Sequence, residues 1–206
     1  MPSPADSFDY VIVGAGAAGS VLANRLTADG TTTVCLLEAG PPDRNPFIHV
    51  PAGFIKTLVD PKVTWQFKTE PLAMTGGRRI STVQGRTLGG GSSVNGMIYN
   101  RGQPADLDHW AQRGNRGWGY ADMLPYFLRT ERRIGHGESG IRGREGRLPV
   151  TDMDWFHPMS EAFIQGAITS GIPRNPDYNS GDQAGVGSFQ RAIQNGRRVS
   201  AATAFL

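Results

Sequence analysis

Residues 14–19 read Gly-Ala-Gly-Ala-Ala-Gly, and what flanks them leaves this stretch few ways to fold. Before it stands a short β-branched run, Tyr10-Val-Ile-Val13. After it, Ala18, Val21, Leu22, Arg25 and Leu26 fall at helical spacing across 17–26. A turn at 30–33 leads to a second apolar run, Thr33-Val-Cys-Leu-Leu37. Strand, helix and strand in this order predict a βαβ unit whose parallel strands are buried on both faces. Each glycine then serves a distinct physical purpose. Gly14 permits the tight turn, Gly16 lets the backbone approach a pyrophosphate, and Gly19 lets helix and strand pack closely. The helix start at Ala17 and Ala18 offers unpaired N–H groups and the positive end of the helix dipole to phosphates. Glu38 ends the second strand, where a carboxylate hydrogen-bonds adenosine ribose hydroxyls and repels a 2′-phosphate. The pattern predicts a dinucleotide site that disfavours NADP; this fingerprint alone does not separate FAD from NAD.

Beyond Gly40 the chain changes character. Prolines at 41, 42, 46, 51, 61 and 71 rule out long helices and predict an excursion over 40–80, packed over the cofactor. A second glycine-rich site spans 85–100. Helices are expected at 106–113, 121–132 and 159–170, a loop at 134–146, and turns with short strands over 171–196. The expected organisation is a dinucleotide-binding domain over 1–150, with 151–206 starting a second domain or returning to the first.

Residues 85–102 read Gly-Arg-Thr-Leu-Gly-Gly-Gly-Ser-Ser-Val-Asn-Gly-Met-Ile-Tyr-Asn-Arg-Gly. In physical terms Gly89, Gly90 and Gly91 bring backbone N–H groups close to a phosphate or ring atom. Ser92, Ser93 and Asn95 add short polar groups suited to a planar ring's edge. Arg86 suits either an anionic phosphate or a structural salt bridge. Position for position, the stretch resembles the first signature of the glucose–methanol–choline (GMC) oxidoreductases. The opening FDYVIVGAGAAGSVLANRL, the segment Thr64–Pro71 and the terminal NGRRVSAATAFL are similar to that family too. Within it, the chain looks most like the choline-dehydrogenase-type alcohol dehydrogenases of bacteria.

The resemblance implies an α/β fold: a Rossmann-like FAD-binding domain of the glutathione-reductase type, with the beginning of an α+β substrate-binding domain. It implies FAD contacts at Gly14, Gly16, Ala17, Ala18, Gly19 and Glu38 for the ADP half. For the isoalloxazine half it implies Gly91, Asn95, Gly96 and Ile98, with Met97 nearby; Gly90 and Arg86 join the candidate cofactor contacts on the physical reading of their loop. Some members attach FAD covalently through a histidine just before the asparagine; here that position is Val94, so non-covalent FAD is expected. The implied reaction oxidises a primary alcohol to an aldehyde by hydride transfer to flavin N5. The family's histidine base and its His or Asn companion lie in a C-terminal half outside 1–206. His49, His109, His136 and His157 do not match that pair, so no catalytic residue is assigned here, and the chain's own C-terminal half is the expected partner. Three other readings stay open: a non-catalytic FAD-binding or assembly piece, an NAD-dependent dehydrogenase, which would leave 85–108 unexplained, and the family's lyase branch, which keeps FAD but performs no net oxidation.

Composition narrows the setting. Net charge is +3, from 21 basic and 18 acidic residues. The densest basic stretch, 129–147, is interleaved with Glu131, Glu138 and Glu145, which predicts a solvated, salt-bridged loop and no nucleic-acid partner. No run reaches the roughly 18 apolar residues of a membrane span. One cysteine, Cys35, makes no internal disulfide, and no Cys/His cluster has zinc spacing. With no signal-peptide pattern at the N-terminus, the expectation is a soluble protein of the reducing cytoplasm.

Overall fold

Strand β1 (Tyr10–Val13) and strand β2 (Val34–Leu37) pair in parallel, Tyr10 opposite Val34 through Val13 opposite Leu37. Helix α1 (Ala17–Leu26) makes the crossover between them. The structure, a computed structural model, describes residues 7–138 and 140–206. It divides into two compact units, one of residues 7–97 with Asn195–Leu206, the other of Ile98–Gln194. The division falls at 97/98 and 194/195 rather than near 150, because parallel pairing ties the segments on either side of 134–148 into one sheet.

In the first unit, α1 begins at Gly16 without a side-chain cap and ends at Thr27. There the Thr27 hydroxyl donates to the Ala23 carbonyl at 2.8 Å. The proline-rich excursion holds only short pieces, α2 (Pro46–His49) and α3 (Phe54–Thr57), as Pro spacing dictates. An antiparallel ribbon follows, β3 (Thr64–Lys68) against β4 (Ser81–Gly85). Ile48, Val63 and Val94 make a small buried cluster beneath it. The last stretch of chain returns to this unit as β10 (Arg197–Arg198) and α7 (Ala201–Phe205). α7 docks on α1, where the Asn24 side chain donates to the Phe205 carbonyl at 2.8 Å.

The expected burial of β1 on both faces does not hold. Val11 is 60% and Val13 84% exposed. The reason is that β1 and β2 form a two-stranded sheet with no further strand beside them among the described residues.

The second unit carries β5 (Ile98–Tyr99), α4 (Pro104–Gln112), α5 (Tyr120–Thr130), β6 (Glu131–Ile134), β7 (Leu148–Thr151), α6 (Pro158–Thr169), β8 (Gln190–Arg191) and β9 (Ile193–Gln194). Its sheet runs β5-β8-β7-β6. The helix expected to reach residue 132 stops at Thr130, and Glu131 starts a strand paired in parallel with Leu148. Burial explains the switch. Glu131 is fully buried and is held by the guanidinium groups of both Arg101 and Arg142. Arg142 also clasps Asp177 through Nη1, at 2.7 and 2.6 Å to the two carboxylate oxygens, and reaches Gln190 Oε1 at 2.9 Å. Burial alone would lower the Arg142 guanidinium, but the Glu131 and Asp177 carboxylates outweigh it and hold it above its usual value. The basic stretch is therefore not a wholly solvated loop: Glu131, Arg133 and Arg142 are core residues.

Candidate functional site

The two glycine-rich segments meet within the first unit. Gly14 adopts φ +95°, turning the chain sharply out of β1, and its N–H donates to the Leu37 carbonyl at 2.7 Å. The Ala15 carbonyl then accepts the Gly89 N–H at 2.8 Å, joining the first glycine turn to the second. Gly90, at φ +54°, packs so tightly on Gly16 that a Cβ on it would sit 2.7 Å from the Gly16 Cα. Gly19 is equally constrained, since a Cβ there would lie 1.9 Å from the Gly14 carbonyl oxygen. These close backbone approaches are what the residue types predict.

Between the segments lies an open cleft of about 540 Å³, walled by Gly14, Gly16, Glu38, Trp65, Gly90 and Gly91 among others. That is within the range of small-molecule sites, roughly 300–1,000 Å³. The first turn of α1 leaves its N–H groups without intrahelical partners, and Ala17 and Ala18 are exposed there. No Cβ would crowd Gly91 or Gly96, so open space faces both. The cleft thus combines backbone donors, a helix dipole end and room for a flat or phosphorylated ligand.

Glu38 is half-buried, and its carboxylate already accepts two backbone N–H groups, Ala15 at Oε2 and Gly40 at Oε1, both at 2.9 Å. A carboxylate has about four acceptor positions, so two remain for a ligand hydroxyl. Arg86 lies over the Trp65 ring, 4.5 Å from its centroid, rather than against a carboxylate, and its Nε is buried without a partner among the described residues. The Ser92 and Ser93 hydroxyls are committed to their own loop. Ser92 Oγ donates to the Gly89 carbonyl at 2.5 Å and accepts the Ala201 N–H at 2.8 Å, while Ser93 Oγ donates to the Leu88 carbonyl at 2.6 Å. They build the loop and do not reach outward, whereas Asn95 is exposed. Met97, buried, takes the left-handed conformation at φ +62°, its N–H held by Asn95 Oδ1 at 3.0 Å. Ile98 opens the second unit, paired with Arg191. Val94 is 3% exposed within the apolar cluster.

One residue of the site is not legible from the sequence. Arg198 is 2% exposed and inserts behind the second glycine loop, donating to the carbonyls of Ile48 at 2.7 Å and Ser92 at 3.0 Å and to Asn95 Oδ1 at 2.8 Å. Its place in the run NGRRVSAATAFL, which is similar to the family's pattern, is the only hint in the sequence. Two of the histidines make local contacts: His49 Nε2 meets the Asp43 carbonyl at 2.6 Å, and His157 Nδ1 accepts the Met159 N–H at the start of α6. Among the described residues no group of three or more His, Cys, Asp or Glu could hold a metal, and no helix is long and apolar enough to cross a membrane.

Known proteins resemble this chain over nearly its whole length. An oxygen-dependent choline dehydrogenase of Brucella ovis is 44% identical over 198 residues, covering 96% of this chain and 36% of the relative. The crystal structure of pyridoxine 4-oxidase from Mesorbium loti superposes with a TM-score of 0.90 at 39% identity, covering 97% of this chain and 39% of that one. An FAD-dependent oxidoreductase from Chaetomium thermophilum superposes at TM-score 0.87 and 31% identity, over 97% of this chain and 36% of that one. The chain thus spans little more than a third of the length of these relatives. The sequence pattern of the GMC oxidoreductases matches continuously over residues 8–206, through both glycine segments and the returning helix α7, and the chain belongs to the GMC oxidoreductase family.

Proposed function

We propose that this chain is the FAD-binding N-terminal portion of a flavin-dependent alcohol oxidoreductase. The observation that carries the reading is the contact between Gly90 and Gly16, which sets two side-chain-free backbone loops at one cleft. A diphosphate suits the α1 N-terminus with Gly14, Gly16, Ala17, Ala18 and Gly19, and adenosine ribose hydroxyls suit the free acceptor positions of Glu38. The ring system suits the open side of Gly91, Asn95 and Gly96, with the buried Met97 beside them. Arg86, braced on Trp65 beside the cleft, supplies positive charge there.

FAD, when bound, supplies the hydride acceptor for alcohol oxidation. This chain's residues bind and orient; none takes the alcohol proton. That proton goes to a base in the C-terminal portion of the polypeptide. The substrate class is a primary alcohol, in keeping with relatives named choline dehydrogenase and pyridoxine 4-oxidase. A cytoplasmic setting fits a chain with one cysteine, unpaired.

Because Val94 is apolar and buried, no side chain at that position bonds the cofactor, so FAD is held non-covalently. Acid precipitation of the natural full polypeptide should send all yellow colour into the supernatant; colour left on the pellet refutes non-covalent binding. A colourless protein that takes up no added FAD refutes the whole reading. Gly90→Ala should weaken FAD binding at least about tenfold, since it adds left-handed strain of roughly 1–3 kcal/mol and pushes apart the two loops. Fluorescence titration of apoprotein with FAD measures it.

A further inference from the structure

Two buried arginines in this chain are treated in opposite ways. Arg142 is surrounded by the carboxylates of Glu131 and Asp177. Arg198 has no carboxylate at ion-pair distance among the described residues, and its Nη2 is buried without a hydrogen-bond partner there. Burial accordingly pushes its guanidinium down to about 10, still far above neutrality, so it carries a full positive charge. Burying an uncompensated cation is expensive. What Arg198 does with its position is specific: Nε and Nη1 engage two backbone carbonyls and one side-chain oxygen, that of Asn95.

The Asn95 oxygen receives two donors, Arg198 Nη1 at 2.8 Å and the Met97 N–H at 3.0 Å. A guanidinium and a backbone N–H only donate, and an amide oxygen has two lone pairs. The amide therefore has one allowed orientation, since the flipped one sets an NH2 against two donors. Its oxygen is used up on the protein side. What this exposed residue has left to offer a ligand is its NH2.

We infer that Arg198 is a positioning residue that locks Asn95 as a hydrogen-bond donor, so that the exposed end of the second glycine loop recognises an acceptor edge of a planar ring, a carbonyl or an unprotonated ring nitrogen. The inference rests on the FAD reading and deepens it. The charge behind Asn95 polarises the amide further and favours extra electron density on the ring edge it meets.

Asn95→Asp separates this role from a structural one. Aspartate accepts both existing hydrogen bonds and gives Arg198 a counter-charge, so the apoprotein should melt at or above the wild-type temperature. It also removes the donor and sets a negative charge beside an electron-rich edge. FAD affinity should fall at least about tenfold, and the flavin midpoint potential should drop. Arg198→Lys keeps the charge but cannot fork between Ser92 and Asn95, and should weaken FAD several-fold. Since Arg198 acts through Asn95, the double variant should bind FAD no more weakly than Asn95→Asp alone.

All four proteins are measured as the natural full polypeptide, by FAD titration of apoprotein, apoprotein melting and redox titration. Asn95→Asp with wild-type affinity and potential overturns the inference, and so do single effects that simply add in the double variant. Should Arg198→Lys not fold, Asn95→Asp still decides. Wild-type protein that binds no FAD brings down the parent reading and this one together, an outcome distinct from the other two.

Discussion

Glu131→Ala is expected to destabilise the protein by about 3–5 kcal/mol, the range for removing one partner of a buried ion pair. The carboxylate is fully enclosed between Arg101 and Arg142, and also accepts the Gly143 N–H at 3.2 Å. Its removal strands Arg101 and takes from Arg142 one of its two carboxylates. Arg142 retains Asp177, whereas Arg101 keeps the Ile141 carbonyl at 2.6 Å, the Tyr99 hydroxyl at 3.4 Å and the face of the Phe127 ring, with no carboxylate among the described residues. Burial, the larger cause and one that outlasts the loss of Glu131, holds the Tyr99 phenol above its usual value, so it supplies no compensating anion. Urea unfolding of the full polypeptide should show a much lower midpoint. Glu131→Gln, which preserves shape and some hydrogen bonds, should fall between the two. A loss below about 1 kcal/mol in Glu131→Ala would show the cluster to be worth no more than a surface pair.

The second large effect is expected from Gly19→Ala. One added methyl would sit 1.9 Å from the Gly14 carbonyl oxygen, 3.1 Å from its carbonyl carbon and 3.3 Å from Ile12 Cγ2. Two of those three atoms are backbone, so no side-chain rotation relieves the clash. Either α1 tilts off β1 or the Gly14 turn opens, and both displace the N–H groups proposed to hold the diphosphate. The cost should reach about 3 kcal/mol, the upper end for overpacking, and FAD affinity should fall by about a hundredfold or more. Apoprotein melting and FAD titration measure the two separately. Wild-type values in both would mean that the helix and strand are not packed as described.

The sequence was most legible where one residue type has one physical use. Gly14, Gly16 and Gly19 announced the βαβ turn, and α1 spans the residues that their pattern demands. Proline spacing likewise foretold the lack of long helices over 40–71. Charge was far less legible. Glu131 and Arg142 look like surface residues in a row of arginines, and only long-range contacts to Arg101 and Asp177 make them core. The same blindness hid the end of α5, because Glu131 continues a helical pattern locally while its burial belongs to a sheet. Arg198 was invisible for a similar reason: its acceptors on Ile48, Ser92 and Asn95 lie more than a hundred residues earlier. Local rules read spacing; they do not read which distant carbonyl a guanidinium will find.

On the proposed reading, the sealing of Val94 between Ile48 and Val63 leaves FAD untethered, and this bears on how the protein is kept whole. A prosthetic group that is not tethered is held by mass action, so the loaded fraction follows supply and dilution. Each wash during purification strips a little, and each addition restores it. At a free concentration of about one hundred times Kd, occupancy alone adds roughly 2.7 kcal/mol to the stability of the folded state. On the proposed reading, riboflavin status of the host becomes a determinant of protein lifetime as well as of turnover.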